Sequence, residues 1–331
     1  MKALMTSRSI SITSRSQARR AFWRHFALLC CGTLACFALL LKPGYPAAGS
    51  IPILLDTDIG TDIDDAFAVA LIAKSPELKL LAVTTVSGDT AARARLAARL
   101  LAAAGLKGVP VAAGIAGKPL PIQQTQWADG FTSPQLTRQS AVHLLYDELR
   151  RQPGKITVVA IGPLTNIAAL LEQHPDAAGQ IRELVMMGGA IAHGYGDQTK
   201  PAAEYNIAQD VAAARKVFDS KIPIRMAPLD VTAMLQLTAA DRRRIFNHPG
   251  ALDQSLAALY KLWGHETPIL FDPMAVAMVI QPDLCRMRRV AIRVDSRGYT
   301  LVEARGPARV EAGIKTDPAR FMSFYLDRVA P

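Results

Sequence analysis

Ile51-Pro-Ile-Leu-Leu55 runs directly into Asp56-Thr-Asp58-Ile-Gly60-Thr-Asp62-Ile-Asp64-Asp65, and Ala66-Phe-Ala-Val-Ala-Leu-Ile-Ala73 follows. The first segment reads as a buried strand and the last as an apolar helix against the same sheet. Between them five aspartates fall within ten residues. That much negative charge at the end of a buried strand is costly unless a cation shares the space. Carboxylate oxygens are the ligands of hard divalent ions, so Ca²⁺ or Mg²⁺ is expected there. An N-cap role for Asp62 or Asp64 accounts for one or two of these acids, but not for five.

Moving outward, short β-rich runs alternate with helical stretches. Strands are expected at 51–55, 78–86, 109–113, 156–161, 183–187 and 222–226. Helices are expected at 64–74, 91–104, 141–151, 164–173 and 211–219. This alternation predicts an α/β fold: a single domain with a mainly parallel, Rossmann-like sheet and helices on both faces. Later segments (289–295, 300–304, 318–329) read as strands and a closing helix of the same domain. Ligands of such sheets bind at the carboxyl ends of the strands, where the aspartate cluster, Thr84–Asp89, Ile161-Gly-Pro163 and Met187-Gly-Gly189 all fall.

The first fifty residues are different in kind. Residues 1–49 carry Lys2, Arg8, Arg15, Arg19, Arg20, Arg24 and Lys42, no acid, and the apolar run Phe26–Leu41, followed by a small-residue end. This is the pattern of a cleavable export signal, so the folded domain is expected to span 50–331 and to be periplasmic or secreted. Arg19-Arg20 resembles a twin-arginine signal, with an ordinary secretory signal as the alternative. The apolar run is short of the roughly 20 residues of a membrane span, so no membrane association is expected after cleavage. With this segment removed the formal charge falls from +10 to +3, because seven basic residues and no acid leave with it. The basic balance then gives little support for nucleic-acid binding. Cys30, Cys31 and Cys36 also leave, so Cys285 has no partner for an internal disulfide.

Other polar segments are ambiguous one at a time. Asp272-Pro273 opens an apolar helix and reads either as an N-cap or as a further ligand. Glu204-Tyr-Asn206 reads as a sugar-binding pair or a surface loop, and Asp89 as a cap or a site residue. Trp127, Trp263, His193 and His265 sit in poorly patterned segments. Gly162-Pro-Leu-Thr-Asn166 lacks the Lys and Gly spacing of a phosphate loop.

Together these segments resemble the inosine/uridine-preferring nucleoside hydrolase family over nearly all of the chain from Ile51 onward. The anchors are Asp56-Thr-Asp58-Ile-Gly60 with Asp64-Asp65-Ala66, Thr84–Asp89, Ile161–Ala168, Met186-Met-Gly-Gly189, Ala203–Asn206 and Asp272-Pro273. The resemblance implies hydrolysis of the N-glycosidic bond of small ribonucleosides with bound Ca²⁺, in a homo-oligomer (dimer or tetramer). It implies Ca²⁺ ligation by the carboxylates of Asp58, Asp65 and Asp272 and the carbonyl of Ile161, with Asp58 as general base on a metal-bound water. Asp64 and Asn206 are expected on the ribose 2′- and 3′-hydroxyls, Glu204 and Gln198 on the 5′-hydroxyl.

Two departures bear on the base. Many members have a histidine before the ligand aspartate where this chain has Phe271, and an asparagine at the second anchor where it has Asp89. Purine-preferring relatives share both features, so Asp89 and Phe271 join the candidate catalytic set and Phe271 with Trp127 is expected to sandwich a purine. His265, in the short helical region before Phe271, is either a replacement acid or a loop residue. The rival readings are a non-catalytic nucleoside- or ribose-binding protein on the same scaffold and a phosphatase using Asp56 as nucleophile. The first leaves the full acid and ribose set unexplained, and the second gives Ala203–Asn206 and Asp272 no role.

Overall fold

The computed structural model describes residues 49–331; the export-signal reading, with Arg19-Arg20 and three of the cysteines, lies outside the described residues. Strand β1 (Ile51–Thr57) runs two residues past its apolar run, so Asp58 is the first residue beyond it. It pairs in parallel with β2 (Leu78–Thr85) on one side and with β4 (Ile156–Ala160) on the other. β3 (Val111–Ala113) extends the β2 side, and β5 (Ile181–Met187) and β6 (Ile224–Ala227) extend the β4 side, all in parallel. Among the described residues the sheet has nine strands in the order β3-β2-β1-β4-β5-β6-β9-β7-β8. Its far end is mixed: β9 (Val310–Thr316) is parallel to β6 but antiparallel to β7 (Cys285–Val294), which pairs with β8 (Thr300–Glu303).

The chain moves from β1 outward to β3, then returns to start β4 on the opposite side of β1. The adjacent carboxyl ends of β1 and β4 are therefore a topological switch point, where loops diverge and leave a crevice.

In chain order the helices are α1 (Asp64–Ala73), α2 (Thr90–Ala103), α3 (Ala141–Arg151), α4 (Thr165–Gln173), the single turn α5 (Ala177–Gln180) and α6 (Tyr205–Gln209). They continue with α7 (Val211–Phe218), α8 (Leu229–Thr232), α9 (Ala239–Phe246), α10 (Ala251–Trp263), α11 (Phe271–Ile280) and α12 (Pro318–Val329). Successive β1 side chains alternate between the faces of the sheet. Ile53 and Leu55 join a core with α1, α2, α10, α11 and α12, while Leu54 joins a second core with α3, α4 and α7. α1 and α11 are apolar all round, as helices must be when covered on every side.

The helices α9 and α10 and strand β9 were not among the expected elements. Trp263 is the last residue of α10, which stops at Gly264 in a left-handed conformation (φ 77°), and Trp127 sits in a 3-10 turn, Gln123–Ala128, so neither lies in an irregular loop.

Candidate active site

Three elements bring their acids to one place. Asp58 follows β1, Asp64 and Asp65 form the first turn of α1, and Asp272 is the second residue of α11. All four line one cavity of about 270 Å³ at the carboxyl end of the sheet. One carboxylate oxygen from each of Asp64, Asp65 and Asp272 lies within 4.8 Å of the others, and all three residues are buried. Neither helix spends these acids on capping itself: the N-cap positions are Ile63 and Leu270, without side-chain caps. Instead the backbone N–H of Asp272 donates to Asp64 Oδ2 at 3.1 Å, joining the two helix starts. The positive ends of two helix dipoles thus face the same carboxylates.

A polar layer beneath fixes this floor. Arg93 of α2 is fully buried and donates to the carbonyls of Asp58, Ile59 (2.9 Å) and Ser87 (2.8 Å) and to Thr61 Oγ1 (2.9 Å). Thr57 Oγ1 donates to Asp65 Oδ1. Gln124, buried in the 3-10 turn, donates to the carbonyl of Asp62 at 2.6 Å. Asp56 points away from the cavity, where its Oδ1 accepts from Thr84 (2.5 Å) and Asn166 (2.7 Å). Gly162 lets the β4 loop come this close, since a Cβ there would sit 2.9 Å from the backbone nitrogen of Asp58.

The walls come from β4, β5 and the segment entering α6. Ile161 lines the cavity and its carbonyl accepts from Asn206 Nδ2 at 3.3 Å; the same amide donates to the Met187 carbonyl at 3.2 Å. Glu204 is the N-cap of α6 and accepts from the N–H groups of Asn206 (2.9 Å), Ile207 (3.2 Å) and Gly189 (2.9 Å). Gly189 has φ 77° and a Cβ there would meet Thr300 at 3.0 Å, so the β5 turn needs glycine to present this N–H. Tyr195, Tyr205 and Phe271 complete the cavity with Thr61 and Asp62. Tyr195 stands edge-on to Phe271 (centroids 6.1 Å apart, planes at 79°), and its hydroxyl accepts from the Tyr205 N–H at 2.9 Å.

Asp58, Asp64, Asp65, Ile161, Glu204, Asn206, Phe271 and Asp272 therefore converge, and three other sequence candidates do not. Asp89 is exposed and caps α2, accepting from the Ala92 N–H at 2.9 Å. Trp127 packs half-buried with the Arg99 guanidinium 4.3 Å above its ring and does not line the cavity that Phe271 faces. Gln198 is exposed in the turn that folds back on Gly194, and Tyr195 of the same loop faces the site in its place. Sequence reasoning passed over Tyr195, Tyr205, Arg93 and Gln124. Two signals were present: Tyr205 lies inside the Glu204–Asn206 anchor, and Arg93 interrupts the apolar side of α2 among Ala92, Ala94, Leu96 and Ala97.

Burial dominates the electrostatics. It pushes Asp58 up to about 6 against the opposing pull of Arg93, and Glu204 up to about 7 against its three backbone donors. Asp64, Asp65 and Asp272 are held well above the ordinary carboxylate range, first by burial and then by the charge of neighbouring aspartates, Asp58 and Asp62 included. Such a set of oxygen donors, buried and mutually repelling, fits a hard divalent cation, which would relieve the repulsion and favour the ionised forms.

A doubly wound α/β fold with a carboxylate cavity at its switch point, backed by a polar wall for hydroxyls, defines a class of enzyme acting on small polyhydroxylated substrates. Residues 53–323 match the model of the inosine-uridine preferring nucleoside hydrolases. The chain belongs to that family and is a ribonucleoside hydrolase, an N-glycosidase. Among its relatives, the pyrimidine-specific ribonucleoside hydrolase RihA of Citrobacter koseri is 36% identical over 275 residues, covering 76% of this chain and 86% of the relative. The plant nucleoside hydrolase PpNRh1 superposes with a TM-score of 0.76 at 25% identity, over 85% of this chain and 99% of that one. A purine-preferring ribonucleoside hydrolase from Gardnerella vaginalis does so with 0.73 at 26% identity, over 84% and 98%.

Proposed function

We propose that this chain cleaves ribonucleosides, purine nucleosides among them, to free base and ribose, with Ca²⁺ held by Asp58, Asp65, Asp272 and the Ile161 carbonyl. The observation that carries the reading is the convergence of four buried aspartates with Glu204 and Asn206 around one cavity. Asp64, which also stands in the close carboxylate triad, is assigned with Asn206 to the ribose 2′- and 3′-hydroxyls, and Glu204 to the 5′-hydroxyl. When bound, the ion supplies a Lewis acid that lowers the pKa of water and anchors ribose oxygens. Asp58, which lines the cavity beside the other acids, is assigned to take the proton of the attacking water. The surrounding carboxylates stabilise the positive charge that builds on the ribosyl ring as the bond breaks.

The purine reading rests on the aromatic face of Phe271 and Tyr195, which offers a π-surface to a two-ring base. The pyrimidine specificity printed for RihA favours a second reading, pyrimidine nucleosides. Ribose release from inosine, adenosine, guanosine, uridine and cytidine, with and without chelator, separates them. Release from purines, abolished by chelator and restored by Ca²⁺, is the expected result; release from uridine and cytidine alone would establish the second reading. No release from any nucleoside would leave a binding protein.

Export is part of the proposal, supported by the basic and apolar composition of residues 1–49. Cell fractionation checks it: the mature protein, shortened by about 49 residues, should leave the cytoplasm.

A further inference from the structure

Phe271 stands where a proton donor to the departing base would be useful, and a phenyl ring has no proton to give. Tyr195 and Tyr205 are held above the ordinary phenol value, mainly by burial, which makes them poor acids. A second depression of about 480 Å³ adjoins the first, and the two share Thr61 and Tyr205 as a common rim. Its walls include Trp263, at the end of α10, and His265, just past the Gly264 stop. The two rings meet edge to face, with centroids 4.9 Å apart and planes at 65°. His265 is the one histidine of either depression among the described residues.

We propose that the base of the nucleoside, seated beside Phe271 and Tyr195, extends its far edge over the Thr61–Tyr205 rim toward Trp263, and that His265 is the catalytic acid that protonates it as it leaves. The role rests on the hydrolase reading. As the C1′–N bond breaks, its electron pair goes to the base nitrogen and the imidazolium proton of His265 goes to the base. Water delivers its oxygen to C1′ and one proton to Asp58. The exposed imidazole recovers its proton from solvent, Asp58 releases one to solvent, and the sum is nucleoside plus water to base plus ribose. The charged groups near His265 are Asp62, from the β1–α1 loop, and Lys118 in the wall of the same depression, with Glu266 next to it in the chain.

The test compares wild type, His265→Gln and His265→Ala on inosine, uridine and 4-nitrophenyl riboside, in Ca²⁺, from pH 5 to 9. His265 is exposed, so both variants should keep the wild-type melting temperature. The expected result is a loss of about 10²–10⁴-fold in kcat on nucleosides, with nitrophenyl riboside, whose leaving group needs no proton, changed by less than about threefold. The fall of nucleoside activity at high pH should also vanish in both variants. Wild-type nucleoside rates in the variants, or equal losses on both substrate types, would overturn the role of His265. A wild type inactive on every substrate, nitrophenyl riboside included, would overturn the hydrolase reading and this role with it.

Discussion

Arg93 shows how a single residue can carry a loop of acids. Its guanidinium is sealed in the core, has no carboxylate within ion-pair distance among the described residues, and spends its donors on three carbonyls and Thr61 of the loops it organises. A lysine could carry the charge but not the fork. Arg93→Ala is expected to cost about 3–5 kcal/mol, since buried carbonyls lose charge-assisted donors and a large cavity opens; urea unfolding measures it. Arg93→Lys should recover less than half of that. A loss under about 1 kcal/mol for the alanine variant would mean that water takes over these contacts. Asp58→Ala should leave folding intact but lower nucleoside hydrolysis by about 10³-fold or more, together with Ca²⁺ affinity by calorimetry; wild-type rates would remove Asp58 from the site. Asp58, Asp64 and Asp65 could be picked out from sequence because they cluster in the chain, and Glu204 and Asp272 through the resemblance. Arg93 and Gln124 could not, because most of the oxygens they hold lie more than thirty residues away in the chain.

At the scale of elements, the site depends on helix starts that leave their own capping undone. α1 and α11 are apolar enough to be held by burial, which frees the aspartates of their first turns for a ligand. α6 is the opposite case: five residues long, it is tied down by Glu204, whose carboxylate serves three N–H groups while lining the cavity. Glu204→Gln should therefore do two things. Stability should fall by about 1–2 kcal/mol, because an amide oxygen is a weaker acceptor than a carboxylate. The drop in kcat/KM should be several-fold larger on ribonucleosides than on 5′-deoxynucleosides, which lack the hydroxyl that Glu204 is assigned to hold. An equal drop on both would leave Glu204 with the capping role alone. The same scale explains what sequence patterning missed. β9, Val-Glu-Ala-Gly-Ile-Lys-Thr, is a weak strand by composition and forms because the open edges of β6 and β7 accept it on both sides. Gln198 fitted the expected spacing, but the loop closes on itself through Gly194 and Gln198, and its partner Asp230 draws in the N–H groups of Ile191 and Ala192 at 2.8 Å, leaving Tyr195 facing inward.

Taken whole, the domain folds around a charge problem. Six buried carboxyls at or near the sheet's carboxyl end (Asp56, Asp58, Asp64, Asp65, Glu204 and Asp272) are pushed up mainly by burial, Asp56 and Glu204 to about 7. Each raised carboxyl keeps its proton in the folded protein where the unfolded chain would release it. Its contribution to stability is therefore complete below the ordinary carboxylate value near 4 and is lost as pH rises through the folded value near 7. The ion-free protein should accordingly melt at a lower temperature at pH 8 than at pH 5. Calcium inverts this, because it binds the ionised carboxylates of the native state and has no equivalent site in the unfolded chain. At about a thousandfold over Kd it should add roughly 4 kcal/mol, or about 8–16 °C for a domain of this size, and more at pH 8 than at pH 5. Melting curves at the two pH values, with chelator and with Ca²⁺, test both halves of the argument. A chelated protein that gains stability from pH 5 to pH 8 would show that the buried carboxyls are ionised without an ion, and that Arg93 and the two helix dipoles suffice to hold them.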